Sequence, residues 1–180
     1  MRALYLAAAF LIAAPTSAQS VVSVQAGGAE FDLSGVGSAF VADVRYNRPL
    51  TRVLAVEGGV GLSPTGQQFG DVTYLLPSVE LQAGLPLGGV VRPFAAVGLG
   101  AFVPVSGPEQ ETVVVDGREI IVQRGGVTEG ALILGLGLDA SVTDRVVLRA
   151  AARLRGTVGD GPDFFVGTFG EVTAGLGYRF

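Results

Sequence analysis

The sequence predicts an all-β protein: an antiparallel up-and-down transmembrane β-barrel of about eight strands, behind an N-terminal export signal. Three observations lead there. First, 49% of the 180 residues are hydrophobic and the mean hydropathy is +0.52. Yet beyond the N-terminal segment no stretch approaches the roughly 20 apolar residues that a membrane helix needs. Second, segment after segment alternates apolar residues with polar ones or glycine, the period of a strand with two unlike faces. Third, the connections between these segments alternate in length. An apolar chain without helical spans satisfies its backbone in a bilayer only by closing strands into a barrel.

Met1 to about Ser20 reads as a secretory signal. Arg2 is its single charge, Leu4–Ala14 its apolar core and Thr16-Ser17-Ala18 a small-residue cleavage site. Cleavage after Ala18 divides the chain into a signal peptide, residues 1–18, and one barrel domain, residues 19–180.

The first strand, Val21–Asp32, sets Ser23 and Gln25 against Val22, Val24 and Ala26. The second, Ser38–Asn47, sets Phe40, Ala42, Val44 and Tyr46 against Val41, Asp43 and Arg45. In the third, Arg52–Ser63, Leu54, Val56, Val60 and Leu62 alternate with Ala55, Glu57, Gly59 and Gly61. The fourth, Val72–Leu85, opposes Pro77, Val79, Leu81 and Ala83 to Ser78, Glu80 and Gln82.

Both faces of the fifth, Val91–Val103, are apolar or Gly, and Val97, Leu99 and Ala101 are assigned outward. The sixth, Val127–Ala140, alternates four leucines from Leu132 to Leu138 with Gly135, Gly137 and Asp139. The seventh, Arg145–Arg155, has the sharpest contrast: Val146, Leu148, Ala150, Ala152 and Leu154 oppose Arg149, Ala151, Arg153 and Arg155. The eighth, Phe164–Phe180, ends on the alternation Val172, Ala174, Leu176, Tyr178, Phe180.

Connections after odd-numbered strands are the longer ones: Leu33–Gly37, Pro64–Asp71, Pro104–Gly126 and Gly156–Asp163. Arg48–Thr51, Pro86–Val90 and Ser141–Asp144 are tight. Within the longest loop, Thr112–Val115 and Ile120–Gln123 flank an Asp116-Gly117 turn and predict an extra hairpin. Tyr46, Phe94, Tyr178 and Phe180 fall at the turn ends of their strands. Phe31, Phe40, Tyr74, Phe102, Phe164 and Phe165 fall at the loop ends. Two such belts are expected where rings meet a membrane interface.

The composition excludes most chemistry. His and Cys are both absent, and all 12 basic residues are Arg. No imidazole, thiolate or lysine is available as base or nucleophile, so neither catalysis nor a cofactor or metal is expected. A net charge of -4 argues against nucleic acid. The Gly-x-Gly units at 59–61, 98–100, 135–137 and 175–177 lie inside strands rather than in phosphate loops, where an inward glycine leaves room in a narrow barrel and lets strands bend.

The candidate site is the set of charges on the polar faces: Asp43, Arg45, Glu57, Glu80, Asp139, Arg149, Arg153, Arg155 and Glu171. Eight strands enclose a lumen just wide enough for side chains, and buried charges must be paired. A salt-bridge core follows, structural or able to gate a small conductance. The long loops and their strand ends are acidic, with Glu109, Glu111, Asp116 and Glu119 among them, whereas the turn rim carries Arg48, Arg52, Arg92, Arg145 and Arg179 against Asp144.

Taken together, the signal, strands, loop alternation and terminal Tyr178-Arg179-Phe180 resemble small outer-membrane β-barrel proteins of the OmpA-barrel, OmpX and OmpW kind. That resemblance implies a Gram-negative cell envelope, an outer-membrane location and periplasmic termini. It implies Tyr178 and Phe180 as the signal read by the barrel-assembly machinery, with membrane lipid and lipopolysaccharide as further partners. The function expected is a structural or surface-interaction component with working extracellular loops. The alternative is a narrow pore or transporter for ions or small hydrophobic solutes. A soluble lipocalin-like binder would need the opposite polarity of lumen and exterior.

Overall fold

The computed structural model describes residues 19–31, 38–67, 70–87, 90–106, 111–115, 118–122, 128–158 and 165–180. The signal segment 1–18 and most loop residues, with their acidic side chains, lie outside the described residues. Among the described residues ten strands form: β1 (Val21–Phe31), β2 (Ser38–Pro49), β3 (Leu54–Gln67), β4 (Gly70–Gly84), β5 (Val91–Ser106), β6 (Glu111–Val115), β7 (Arg118–Val122), β8 (Glu129–Ser141), β9 (Val146–Val158) and β10 (Phe165–Arg179). Eight close into a barrel in the order β1-β10-β9-β8-β5-β4-β3-β2, with β1 returning to β2. Among the described residues the β6–β7 hairpin forms its own two-stranded sheet, an excursion between β5 and β8.

Alternation places the side chains. Leu99, Leu136 and Val172 are 65–67% exposed on the outer wall, while their strand neighbours face the lumen. Val97 and Leu99 both point outward, which assigns the faces of β5.

Two tight turns share one device. Thr51 Oγ1 accepts from the N–H groups of Val53 and Leu54 at 3.2 and 2.9 Å. Thr143 Oγ1 does the same for Arg145 and Val146 at 3.2 and 3.0 Å. The hydroxyl supplies the local bond that reverses the chain. At the same end, Phe180 N–H donates to Ser20 at 3.1 Å and Arg179 N–H to Arg145 at 2.8 Å.

The strands extend farther at the loop end than the turn residues suggest. Pro64–Asp71, expected as a loop, is mostly ladder, since Pro64 pairs with Thr73 and Gln67 with Gly70. The pairing of β2 with β3 stops at Ala42↔Leu62. Beyond that point β3 has a free edge, where proline's missing N–H is tolerated. Pro77 lies where the β4–β5 ladder skips from Leu75↔Val103 to Ser78↔Gly100.

Aromatic placement also departs from expectation. Tyr46, Tyr178, Phe180 and Phe40 are on the outer wall, but Phe94 and Phe102 point inward and are buried, as is Phe169. The lumen ends need bulky apolar closure as much as the interface needs rings. Position along a strand alone does not separate the two demands.

Candidate functional site: the filled lumen

Within the barrel, side chains stack in levels. At the turn end, Arg149 grips Asp139 through Nε–Oδ1 at 2.6 Å and Nη2–Oδ2 at 2.9 Å. Its guanidinium also stands 5.1 Å from the centre of the Phe94 ring. Arg92 reaches the same carboxylate at 3.6 Å. It was expected on the rim, but it is half-buried and belongs partly to the lumen.

The middle level holds Glu57 and Glu80, which are directly opposite each other across the β3–β4 ladder. Like charges so placed are destabilising on their own. Arg45 and Arg153 bridge both. Arg45 Nη1 lies 2.6 Å from Glu80 and 3.3 Å from Glu57, and its Nε is 3.1 Å from Asp43. Arg153 lies 3.1 Å from Glu80 and 3.2 Å from Glu57. Arg149 pairs with Glu57 as a third cation.

One level higher, Arg155 grips Glu171 with Nε at 3.1 Å and Nη2 at 3.2 Å, the parallel fork favoured by guanidinium and carboxylate. Arg45 and Arg153 each approach Glu171 to 3.6 Å. Above this lies an apolar lid of Ala29, Val41, Leu76, Phe102, Ala131 and Phe169, with Tyr74 packed against it. The Phe102 and Phe169 rings meet edge-on at 5.5 Å.

All nine sequence-identified charges therefore meet in one network. Eight of them are 3% exposed or less, and Asp139 is half-buried. With Arg92 included, the network has five carboxylates and five guanidiniums, so its charge cancels. Sequence reasoning missed Arg92 and the neutral partners. Asn47 donates to Glu57 at 3.2 Å and to Gln82 at 2.8 Å. Thr173 donates to Gln25 at 3.0 Å, and Gln25 donates to Ser23 at 3.3 Å. Their inward strand positions were the available signal.

Some of the inward glycines lie against these arginines. A Cβ on Gly59 would lie 3.0 Å from Arg45 Cγ, one on Gly84 2.8 Å from Arg92 Cζ, and one on Gly100 3.2 Å from Arg155 Nη1. On Gly135 it would lie 3.4 Å from Arg153 Cγ, and on Gly137 it would strike the Phe94 ring. None of these glycines adopts a left-handed backbone. Room for a neighbouring side chain is what these positions provide.

Among the described residues no group of three or more carboxylates is placed to hold a metal ion. The family model described as outer membrane protein beta-barrel domain matches residues 3–180. No curated protein sequence matches the chain significantly. Among solved structures, Neisserial surface protein A superposes with a TM-score of 0.65 at 18% identity, covering 89% of this chain and 97% of that one. Ail, the attachment invasion locus protein of Yersinia pestis, gives 0.59 at 16%, covering 91% and 99%. OprG of Pseudomonas aeruginosa gives 0.55 at 14%, covering 91% and 96%.

Proposed function

The chain belongs to the outer membrane protein β-barrel domain family, and on that premise we propose that it is a surface-interaction component anchored by a closed barrel, without enzymatic activity. The observation that carries this reading is the cancelled, buried charge network beneath an apolar lid. A lumen so filled leaves the loops as the working part. The chain in this reading is oriented with termini and short turns in the periplasm, its signal removed after Ala18. Tyr178 and Phe180 act in recognition by the assembly machinery, and lipopolysaccharide surrounds the loop end.

One solved form of Ail contains the heparin analogue sucrose octasulfate. The acidic loops of this chain have the wrong sign for such a polyanion, so its surface ligand is expected to be basic or cation-bridged.

A specific observation favours the second reading, a narrow pore. Asp43 Oδ2, Ser63 Oγ and Ser78 Oγ are buried without hydrogen-bond partners, and water along that flank would satisfy them. A lateral route for apolar solutes is less well supported. A groove of about 800 Å³ includes Gly28, Ala152, Leu136 and Val172. However, the ladder behind it is continuous through Gly28↔Val172, Val172↔Ala152 and Ala152↔Leu136.

Expression in a porin-deficient outer membrane tests the proposal. Uptake of small hydrophilic and apolar solutes should stay unchanged, and an Asp116→Cys variant should react with an impermeant maleimide on intact cells. Raised uptake, or labelling at Asp144→Cys instead, would overturn it.

A further inference from the structure

The turn end of the barrel opens into a cup of about 450 Å³ whose wall includes Arg52, Arg92, Arg179, Thr51 and Ser141, with Asp139 among the lining residues. We infer that this cup is an anion-binding vestibule for a phosphate group, distinct from the loop surface at the opposite end.

Asp139 is the one carboxylate in the lining, and both its oxygens already accept from Arg149. Arg92 lies 3.6 Å from that carboxylate and balances the lumen network, so the unspent positive charge of the cup comes from Arg52 and Arg179. Arg179 donates to Ser141 Oγ at 3.1 Å and to the Asp144 carbonyl at 3.4 Å, which leaves most of its five N–H donors free. Arg52 is exposed and has no ion pair among the described residues.

Two hydroxyls add to the excess. Thr51 Oγ1 accepts two backbone bonds and Ser141 Oγ accepts from Arg179, so each retains its own hydrogen to donate. Gln19 also lines the cup, and cleavage after Ala18 would add its α-ammonium. A cup lined by two unspent guanidiniums and two hydroxyl donors, with its one carboxylate already occupied, takes an oxyanion, and guanidiniums favour the multiple charge of phosphate. The volume far exceeds the roughly 10–15 Å³ that one water requires, so a multi-atom phosphate fits.

The phosphate could belong to a soluble compound or to a lipid headgroup. Titration of the refolded protein in zwitterionic detergent with inorganic pyrophosphate, at constant ionic strength, tests the site. Saturable one-to-one binding is expected, weakened roughly tenfold or more in R52Q and further in R52Q/R179Q, the order expected for loss of charge-assisted bonds. Arg52 makes no ion pair among the described residues, so R52Q should retain the heat-modifiable barrel. R48Q/R145Q, on the rim outside the cup, should bind as the parent does. Phosphatidylglycerol vesicles that displace pyrophosphate would identify a headgroup site, and failure to displace would identify a soluble one. Unsaturable binding, or equal loss in the rim variant, would overturn the inference.

Discussion

Glu57 and Glu80 face each other directly across the β3–β4 ladder, both fully buried, with Arg45 and Arg153 bridging the pair from β2 and β9. Two carboxylates in contact register can stay charged only if cations from other strands complete them. The barrel must therefore be closed before its interior is satisfied. The lumen network couples folding of distant strands to one another.

Removing one bridging cation should be costly. Arg153→Met deprives Glu57, Glu80 and Glu171 of a shared partner, and a loss of about 3–5 kcal/mol is expected. Urea unfolding in lipid bilayers would measure it. Adding Glu80→Gln should recover part of the loss, because one of the stranded charges disappears with it.

The glycine seats predict a contrast between neighbours. Gly59→Ala presses on an Arg45 stem that four carboxylates hold in place, and overpacking should cost about 1–3 kcal/mol. Gly58 faces outward with nothing within 4 Å of an added Cβ. Gly58→Ala should be neutral or stabilise by roughly 0.4–1 kcal/mol through the unfolded chain. Equal losses at both positions in equilibrium unfolding would remove the seat argument.

The lid makes a similar distinction among aromatics. Phe169→Ala opens a cavity against Phe102 and should cost about 3–5 kcal/mol. Phe40→Ala, on the outer wall, should cost clearly less. Thermal unfolding of the two variants side by side would show the difference.

At the turn end, Tyr46 and Phe180 stack with centroids 6.4 Å apart. Phe180→Ala should lose about 0.5–1.5 kcal/mol of pairing energy. If the terminal ring also serves recognition, the yield of assembled barrel in cells should fall more than this stability loss explains. Comparing in-cell yield with refolding in vitro would separate the two effects.

The legible parts of this chain are those where chemical contrast follows the period of two. β9 alternates Arg with Ala or Leu, so its faces and its role in the network could be read directly. The polar faces of β2, β3 and β4 named their charges for the same reason. Cross-strand partners were not legible, because register depends on closure: nothing local says that Glu57 meets Glu80, or that Arg45 lies on Gly59. Phe94 and Phe102 were misplaced because a ring near a strand end suits a lipid interface and a lumen lid equally. Pro64 looked like a loop signal, and only the early end of the β2–β3 pairing, at Ala42↔Leu62, explains why a strand could continue through it.

The most direct measurement is single-channel conductance of the refolded protein in a planar bilayer, after heat-modifiable migration confirms folding. A folded barrel that stays electrically silent is expected, because the compensated network and the apolar lid fill the lumen. Discrete voltage-dependent openings that change with Arg149→Gln or Glu57→Gln would contradict it and make the same residues the lining of a pore.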